Sequence, residues 1–139
     1  MAERITVEAI VNEPVEKVWD SYTDPKHIVH WAFASDDWIA PRAENDLRKG
    51  GRFMTRMEAE DGSEGFDFGG TYDEIVENKK IAYMMDDGRK AEIDFEEMGN
   101  STAIKIIFDA ENQNPIEMQR GGWQAILENF KKYTEQLPQ

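Results

Sequence analysis

The chain has 139 residues, with 16 lysines and arginines against 29 aspartates and glutamates, so its formal net charge is −13. A field of this sign repels phosphate backbones and anionic lipid headgroups, and neither nucleic acid nor a membrane surface is an expected partner. The absence of cysteine excludes disulfides, thiol nucleophiles and cysteine-ligated metals.

The length predicts a single domain over residues 1–139, large enough to build a hydrophobic core without a metal or a cross-link. Apolar runs such as Trp31–Ala34 are too short to cross a membrane. The N-terminal sequence Met1-Ala2-Glu3-Arg4 lacks the apolar segment of a signal peptide. These features together predict a cytoplasmic location.

The first part of the chain predicts one strand and two short helices. Apolar residues alternate with polar ones from Ile5 to Val11, which is typical of a half-buried strand. Pro14 suits the first turn of a helix whose apolar face carries Val15, Val18, Trp19 and Tyr22. Asp24 followed by Pro25 combines a capping acceptor with a proline at the first helical position, and so predicts the second helix.

The middle of the chain predicts about six strands that follow one another as a meander. Trp38–Ala40 is a candidate strand, and Pro41 favours a sheet edge or a break. From Arg52 to Ala110, alternating segments are separated by turn sequences, namely Asp61-Gly62-Ser63, Asn78-Lys79, Asp87-Gly88 and Gly99-Asn100. Within these strands, Gly69-Gly70 predicts a bend or bulge.

The last part of the chain, from about Asn114 to Leu137, predicts one long amphipathic helix. Its apolar stripe consists of Ile116, Trp123, Ile126, Leu127, Phe130 and Leu137. Gly121 and Gly122 fall inside it, and a helix glycine costs roughly 1 kcal/mol relative to alanine. Three explanations are open: close backbone packing, a helix that begins near these glycines, or room left for a bound molecule.

A long helix laid across the concave face of a curved antiparallel sheet leaves a space between the two layers. We expect that space to be an apolar cavity lined by aromatic and methionine side chains, although such residues also form ordinary cores. The candidate ligand-binding residues are Trp31, Phe33, Trp38, Phe53, Met57, Phe66, Phe68, Tyr72, Tyr83, Met85, Phe95 and Trp123. Candidate polar anchors beside them are Arg52, Thr55, Arg56, Tyr72 and Tyr83.

The sequence offers no convincing catalytic set and predicts no cofactor. It lacks a nucleophile elbow, a phosphate-binding glycine loop and a dinucleotide fingerprint. The spacing Asp24-x-x-His27-x-x-His30 is compatible with a metal site, but Asp24 is already explained as a helix cap and histidines are more often packed or solvated, so no metal is predicted. Asp67 and Asp73 lie on the strand face opposite the aromatics, and we expect both to face solvent.

Several segments resemble landmarks of one protein family. These are Val15–Trp19, Thr23–Pro25, Asn45–Phe53 (with its Asp-x-Arg-x-Gly-Gly pattern), Gly70–Ile75 and Gly121–Trp123. Their order and spacing, from about Ile5 to Tyr133, resemble the AHSA-type branch of the SRPBCC superfamily, also called START-like, helix-grip or Bet v-like. The resemblance implies an α+β fold: a curved antiparallel sheet of about seven strands around a long C-terminal helix, with two short helices after strand 1.

The resemblance also implies a deep, mostly apolar cavity between the sheet and the helix. Relatives bind lipids, polyketides, aromatic compounds or plant hormones, and some are cyclases or hydrolases. The leading hypothesis is therefore a module that binds a hydrophobic or amphipathic small molecule without catalysis.

Two alternatives remain open. The first is an enzyme of the cyclase or hydrolase type, which requires an ionisable group buried at the cavity floor. The second is a stress-related, co-chaperone-like interaction protein, with a chaperone as partner and exposed tryptophans such as Trp31 or Trp38 as anchors. The eukaryotic co-chaperone of the family carries a separate N-terminal domain, which 139 residues do not accommodate. We therefore do not expect stimulation of a chaperone ATPase.

Overall fold

The structure, a computed structural model, describes residues 3–138. Residues 1, 2 and 139, which complete the predicted domain range and include the start of the N-terminal sequence considered above, lie outside the described residues. The elements are β1 (Arg4–Val11), α1 (Val15–Thr23), α2 (Pro25–Ile28), β2 (Trp38–Asn45), β3 (Arg52–Ala59), β4 (Gly65–Val76), β5 (Lys80–Met85), β6 (Lys90–Met98), β7 (Ser101–Asp109) and α3 (Ile116–Gln136).

The seven strands form one antiparallel sheet in the order β1-β7-β6-β5-β4-β3-β2. The sheet curls into a half-barrel around α3, and the predicted α+β helix-grip fold is confirmed. The two short helices connect β1 to β2, which lie at opposite edges of the sheet, and α1 packs against α3, β6 and β7. α1 thus packs over β6 and β7, and α3 packs along β1.

The core follows the predicted alternation. The inward side chains of β1, β6 and β7 are buried, while their alternate neighbours are mostly exposed or half-buried. On the helices, Val15 and Val18 of α1 and Leu127 and Phe130 of α3 are buried against this face. Burial of one face per element is what a two-layer domain needs in order to gain hydrophobic stabilisation from both layers.

The position of the sheet irregularity differs from the prediction at Gly69-Gly70. Pairing between β3 and β4 is continuous through both glycines, and the bulge lies between Tyr72 and Glu74, in the pairing of β4 with β5. Gly70 has a different purpose, because a Cβ there would lie 2.4 Å from the Met84 carbonyl oxygen. The glycine therefore permits close strand packing rather than a bend.

The prediction for Pro41 is confirmed. β2 is the edge strand of the sheet, and its register with β3 shifts between Ile39 and Arg42, around the proline that cannot donate a ladder hydrogen bond. The strand continues to Asn45 and is therefore longer than the predicted Trp38–Ala40 segment.

The long helix runs from Ile116 to Gln136, close to the predicted bounds. It does not begin near Gly121 and Gly122, and close packing there is also wrong, since a Cβ at either glycine would meet no atom within 4 Å. Within residues 3–138, no helix has both the length and the hydropathy needed to cross a membrane.

Candidate functional site

A cavity of about 310 Å³ lies between the concave face of the sheet and α3. Its walls come from the three helices and from strands β2–β7, together with the segments after α2, β5 and β7. Two lining residues, Glu44 and Phe66, are exposed, so the cavity reaches the surface. The predicted candidates that the structure brings to this cavity are Trp31, Phe53, Met57, Phe66, Phe68, Tyr72, Tyr83 and Trp123.

Two predicted candidates belong to the solid core instead. Phe95 faces inward like Tyr83, but α1 covers it: its ring lies 5.2 Å from Trp19 and 5.7 Å from Tyr22, measured between centroids. Met85 is buried at the end of β5 without bordering the cavity. Both residues share the correct strand face, and at Phe95 side chains of α1 fill the space above that face.

Two further candidates lie to the side. Phe33 borders a separate cavity of about 220 Å³ beside α3, near Asn129 and Lys132. Trp38 is half-buried at the sheet edge, with its ring 6.0 Å from that of Phe66. Phe33 lies in the loop between α2 and β2, and Trp38 is the first residue of β2. Neither borders the space under α3.

The two tryptophans predicted as anchors for a protein partner differ in their surface exposure. Trp31 is only 6% exposed, and its indole N–H donates to the Ser21 carbonyl over 2.9 Å. It is a wall residue and cannot anchor a surface contact. Trp38 keeps surface exposure beside Phe66, which is 49% exposed.

The apolar part of the cavity wall is a set of interlocked rings. The Phe53 ring lies 4.8 Å from Tyr83 and 5.1 Å from Tyr72. On α3, Trp123 is half-buried and stacks on Phe108 of β7, with centroids 3.9 Å apart and planes 11° from parallel. Such contacts hold the rings in defined positions, so the wall is preformed.

Polar groups in the wall were only partly foreseen. Thr55, Tyr72 and Tyr83 line the cavity as predicted anchors would. Arg52 and Arg56 do not, because they project from the outer face of β3 and pair with Asp86 and with Glu58 and Asp67, respectively. Asp67 and Asp73 are both exposed, which confirms the prediction for these carboxylates.

One polar chain crosses the cavity wall from strand to helix. The Tyr72 hydroxyl donates to Asn45 Oδ1 over 2.6 Å, and Asn45 Nδ2 donates to the Thr23 carbonyl over 2.6 Å. Burial raises the pKa of Tyr72, although the hydrogen bond with Asn45 opposes the rise. Tyr72 is therefore a neutral donor at physiological pH, and it ties β4 to β2 and to the end of α1.

Two other tyrosine hydroxyls have no protein partner among residues 3–138. They belong to Tyr22 of α1 and Tyr83 of β5, and both residues line the cavity. Burial raises the pKa of each, with a smaller contribution from the neighbouring tyrosines: Tyr72 for Tyr22, and Tyr22 and Tyr72 for Tyr83. The charge of Arg89 opposes the rise at Tyr83. The three hydroxyls thus form a neutral, donor-rich region inside an otherwise aromatic cavity.

Gln119 of α3 holds the segment that precedes this helix against one side of the cavity. Its Nε2 donates to the carbonyls of Glu111 and Asn114, and its Oε1 accepts from the Glu111 backbone N–H. Nearby, Arg89 donates to the Asp87 carboxylate and to the Asp109 carbonyl. These hydrogen bonds hold in place the segment between β7 and α3 and the turn between β5 and β6. The two segments contribute Glu111 and Arg89 to the cavity wall.

The carboxylates of the cavity lining do not form a buried acid or base. Glu44 is exposed. Glu111 accepts hydrogen bonds from the backbone N–H groups of Asn114 and Gln113 and from the Asn114 side chain, and these bonds lower its pKa. An ionised, fully engaged carboxylate at the rim is poorly suited to general acid–base chemistry.

The sequence motif around the two histidines forms a different cluster from the one its spacing indicates. Asp20, Asp24 and His27 offer ligand atoms within 4.8 Å of one another, whereas His30 lies outside this group and stacks on Tyr133. Asp24 caps α2 by accepting from the Lys26 N–H, as predicted. His27 Nδ1 shares a 2.7 Å hydrogen bond with the Tyr133 hydroxyl, so this ring is held by the protein.

Comparison with known structures finds several proteins to which the chain is similar. It matches the AHSA1-like protein from Aeromonas hydrophila at 40% identity and a TM-score of 0.90, covering 96% of this chain and 92% of that one. It matches Chr148 from Cytophaga hutchinsonii at 51% identity and a TM-score of 0.82, covering 95% and 92%, respectively. Protein CV1439 from Chromobacterium violaceum shares the fold, at 23% identity and a TM-score of 0.86 over 99% of both chains.

No curated protein matches the chain. The SRPBCC-type fold commonly binds hydrophobic ligands. The family model described as activator of Hsp90 ATPase homolog 1-like protein matches residues 12–135. This match and the two relatives above 30% identity show that the chain belongs to the AHSA1-like family.

Proposed function

We propose that the protein binds a hydrophobic or amphipathic small molecule in the cavity between the sheet and α3. The observation that carries the proposal is the 310 Å³ space with an aromatic wall and a few polar groups. Binding sites for small molecules combine these features, with volumes from roughly 300 Å³ upwards.

The size of the cavity argues against a simple packing defect. Protein interiors are packed like organic crystals, and empty spaces larger than a water molecule are few. At roughly 24 cal/mol per Å³, an enclosed space of this volume would cost on the order of 7 kcal/mol. Opening to the surface reduces that cost, but a domain selected for stability alone would still fill the space.

The aromatic wall provides its own reporter of binding. Trp31 and Trp123 line the cavity, whereas Trp19 is buried in the core beside Phe95. A suitable probe is prodan, a neutral naphthalene ketone whose emission shifts to the blue in apolar surroundings. We expect saturable binding of prodan with a blue shift, together with quenching of tryptophan fluorescence.

A pair of matched methionine variants tests where the probe binds. Met57 on β3 lines the cavity, while Met84 on β5 is 40% exposed and does not. Met57→Trp should fill part of the space and weaken prodan binding by about tenfold or more, the loss expected when roughly 1.4 kcal/mol of contact is removed. Met84→Trp should leave the affinity unchanged.

Thermal unfolding of both variants separates a filled cavity from a damaged fold. Backbone amide NMR shifts of the unsubstituted protein show independently where the probe binds, and we expect the largest changes near Phe68 and Trp123. The proposal fails if prodan does not bind. It also fails if prodan changes the amide NMR shifts of residues near Met84 rather than those of residues in the cavity wall.

A further inference from the structure

The hydroxyl groups of Tyr22 and Tyr83 are the unexplained feature of the cavity. Tyr83 is only 6% exposed, and its ring is held between Phe53 and Phe68, at 4.8 Å and 6.2 Å between centroids. Its hydroxyl nevertheless has no hydrogen-bond partner among residues 3–138, and it is not sealed by surrounding atoms, so it borders the open space. The same holds for the Tyr22 hydroxyl.

Three other polar groups of the cavity wall differ from these two. The Tyr72 hydroxyl, the Asn45 amide and the Trp31 indole N–H each have a protein partner at 2.6–2.9 Å. Polar groups buried in proteins are nearly always hydrogen-bonded, and each exception calls for an explanation. The hydroxyls of Tyr22 and Tyr83, like that of Thr55 on β3, have no such partner among residues 3–138 and line one cavity, which points to a partner that the chain does not supply.

Ring packing does not require either hydroxyl. Tyr22 packs edge-on against Phe95 and Phe130, and Tyr83 packs edge-on against Phe53. Phenylalanine would make the same contacts without placing an unpartnered polar group in an apolar wall, which is unfavourable. The hydroxyl groups therefore serve something other than the aromatic core.

Accordingly, on the basis of the proposed binding function, we infer that the bound molecule carries a neutral acceptor oxygen, a ketone or an alcohol, that receives hydrogen bonds from Tyr22 and Tyr83. The rest of the molecule is apolar and contacts the aromatic wall. The two tyrosines lie on different layers, α1 and β5, so one ligand oxygen between them fixes the depth of the ligand relative to both helix and sheet.

Charge argues for a neutral oxygen rather than a carboxylate. Burial of an unpaired carboxylate is costly, and the protein as a whole carries a formal net charge of −13. Arg89 lines the cavity, but its guanidinium already donates to the Asp87 carboxylate over 2.8 Å and to the Asp109 carbonyl. Arg89 acts on Tyr83 and opposes the rise in its pKa, but the charge of Arg89 is already paired with that of Asp87.

The experiment compares three ligands that share one ring system: naphthalene, acetylnaphthalene and naphthoate. Affinities are measured by titration calorimetry for the unsubstituted protein, for Tyr22→Phe/Tyr83→Phe, and for Tyr133→Phe. Tyr133 is the matched control because its hydroxyl bonds to His27 and lies outside the cavity lining. Thermal unfolding shows whether each variant is folded.

We expect the unsubstituted protein to bind acetylnaphthalene about thirtyfold more tightly than naphthalene, because each of the two neutral hydrogen bonds contributes a net gain near 1 kcal/mol. The double variant should bind both ligands with affinities within about twofold of each other. Tyr133→Phe should keep the original ratio. Naphthoate should bind most weakly to the unsubstituted protein.

The outcomes separate this inference from the proposed function. Equal affinity of the unsubstituted protein for naphthalene and acetylnaphthalene overturns the inference and leaves hydrophobic binding intact. A preference for the ketone that survives in the double variant also overturns the inference and leaves hydrophobic binding intact. Tightest binding of naphthoate overturns the neutral character of the ligand, and failure of all three ligands to bind overturns both the inference and the proposed function.

Discussion

Tyr72 and Tyr83 are register partners on β4 and β5, yet their hydroxyl groups have opposite surroundings. The Tyr72 hydroxyl completes a chain of hydrogen bonds through Asn45 to the Thr23 carbonyl. The Tyr83 hydroxyl has no protein partner among the described residues. The same substitution at the two positions therefore measures two different things: a structural hydrogen bond at Tyr72, and a group available to a ligand at Tyr83.

We predict that Tyr72→Phe lowers the free energy of unfolding by about 1 kcal/mol or more, because it leaves Asn45 Oδ1 without its donor. Tyr83→Phe should not lower it, because no protein hydrogen bond is lost and the ring contacts remain. Urea denaturation of the ligand-free protein measures both changes. Equal destabilisation by the two substitutions would show that the Tyr83 hydroxyl has a structural partner after all.

At the level of strands, the sequence was sufficient to predict which side chains face inward. Alternation placed Phe66, Phe68 and Tyr72 on one face of β4 and Asp67 on the other, and the structure agrees. Alternation could not predict what covers each point along a strand. Phe95 lies on the inward face of β6, but Trp19 of α1 fills the space above it, and such contacts depend on where a helix crosses the sheet.

The polar part of the candidate site was harder to predict for a related reason. Arg89 comes from the turn between β5 and β6, and Gln119 interrupts the apolar stripe of α3, so neither belongs to a periodic pattern. Tyr22 lies on the predicted apolar face of α1 and is typical of a core residue. Its place in the cavity wall arises only when α1 packs beside α3 over the curved sheet.

The glycine pair in α3 gives a prediction at the level of one helix. Gly121 and Gly122 lie within the helix, and a Cβ at either position would meet no atom within 4 Å. Alanine has a higher helix propensity than glycine by roughly 1 kcal/mol, so Gly121→Ala or Gly122→Ala should raise the free energy of unfolding by up to about that amount. Thermal and urea denaturation measure the change.

Gly70→Ala is the control for this prediction. A Cβ at Gly70 would lie 2.4 Å from the Met84 carbonyl oxygen and 3.0 Å from the Phe53 ring, so this substitution should destabilise the protein. Neither helix glycine lines the cavity, and prodan affinity should be unchanged by Gly121→Ala and Gly122→Ala. A loss of stability in the helix variants would mean that the glycines are required for a contact on that face of α3.

For the molecule as a whole, the cavity tyrosines link the interior to pH. Tyr22, Tyr72 and Tyr83 are held in one apolar space by α1, β4 and β5, and burial raises the pKa of each. Ionisation of any of them in the folded state would place a phenolate in the aromatic wall. The unfolded chain has no such restriction, since its tyrosines ionise near pH 10.

The sign of the pH dependence follows from these shifts. A folded-state pKa above the unfolded value means that the unfolded chain loses its protons first, so stability is fully present below about pH 10 and declines as the pH rises towards the folded-state values. Each such group contributes a slope of about 1.4 kcal/mol per pH unit in that window, and three groups together about 4 kcal/mol per unit. The fold should therefore be lost cooperatively in alkali.

We predict that tyrosinate absorbance and loss of ellipticity appear in one step during alkaline titration, because the three hydroxyls ionise only when the aromatic wall opens. Tyr22→Phe/Tyr83→Phe removes two of the three groups, so it should move the transition to higher pH and make it shallower. Tyr133→Phe serves as the control, since Tyr133 lies outside the cavity and most of the transition should remain. Ionisation of the cavity tyrosines well before ellipticity is lost would mean that water already solvates them in the folded protein, and the apolar character of the cavity would then have to be abandoned.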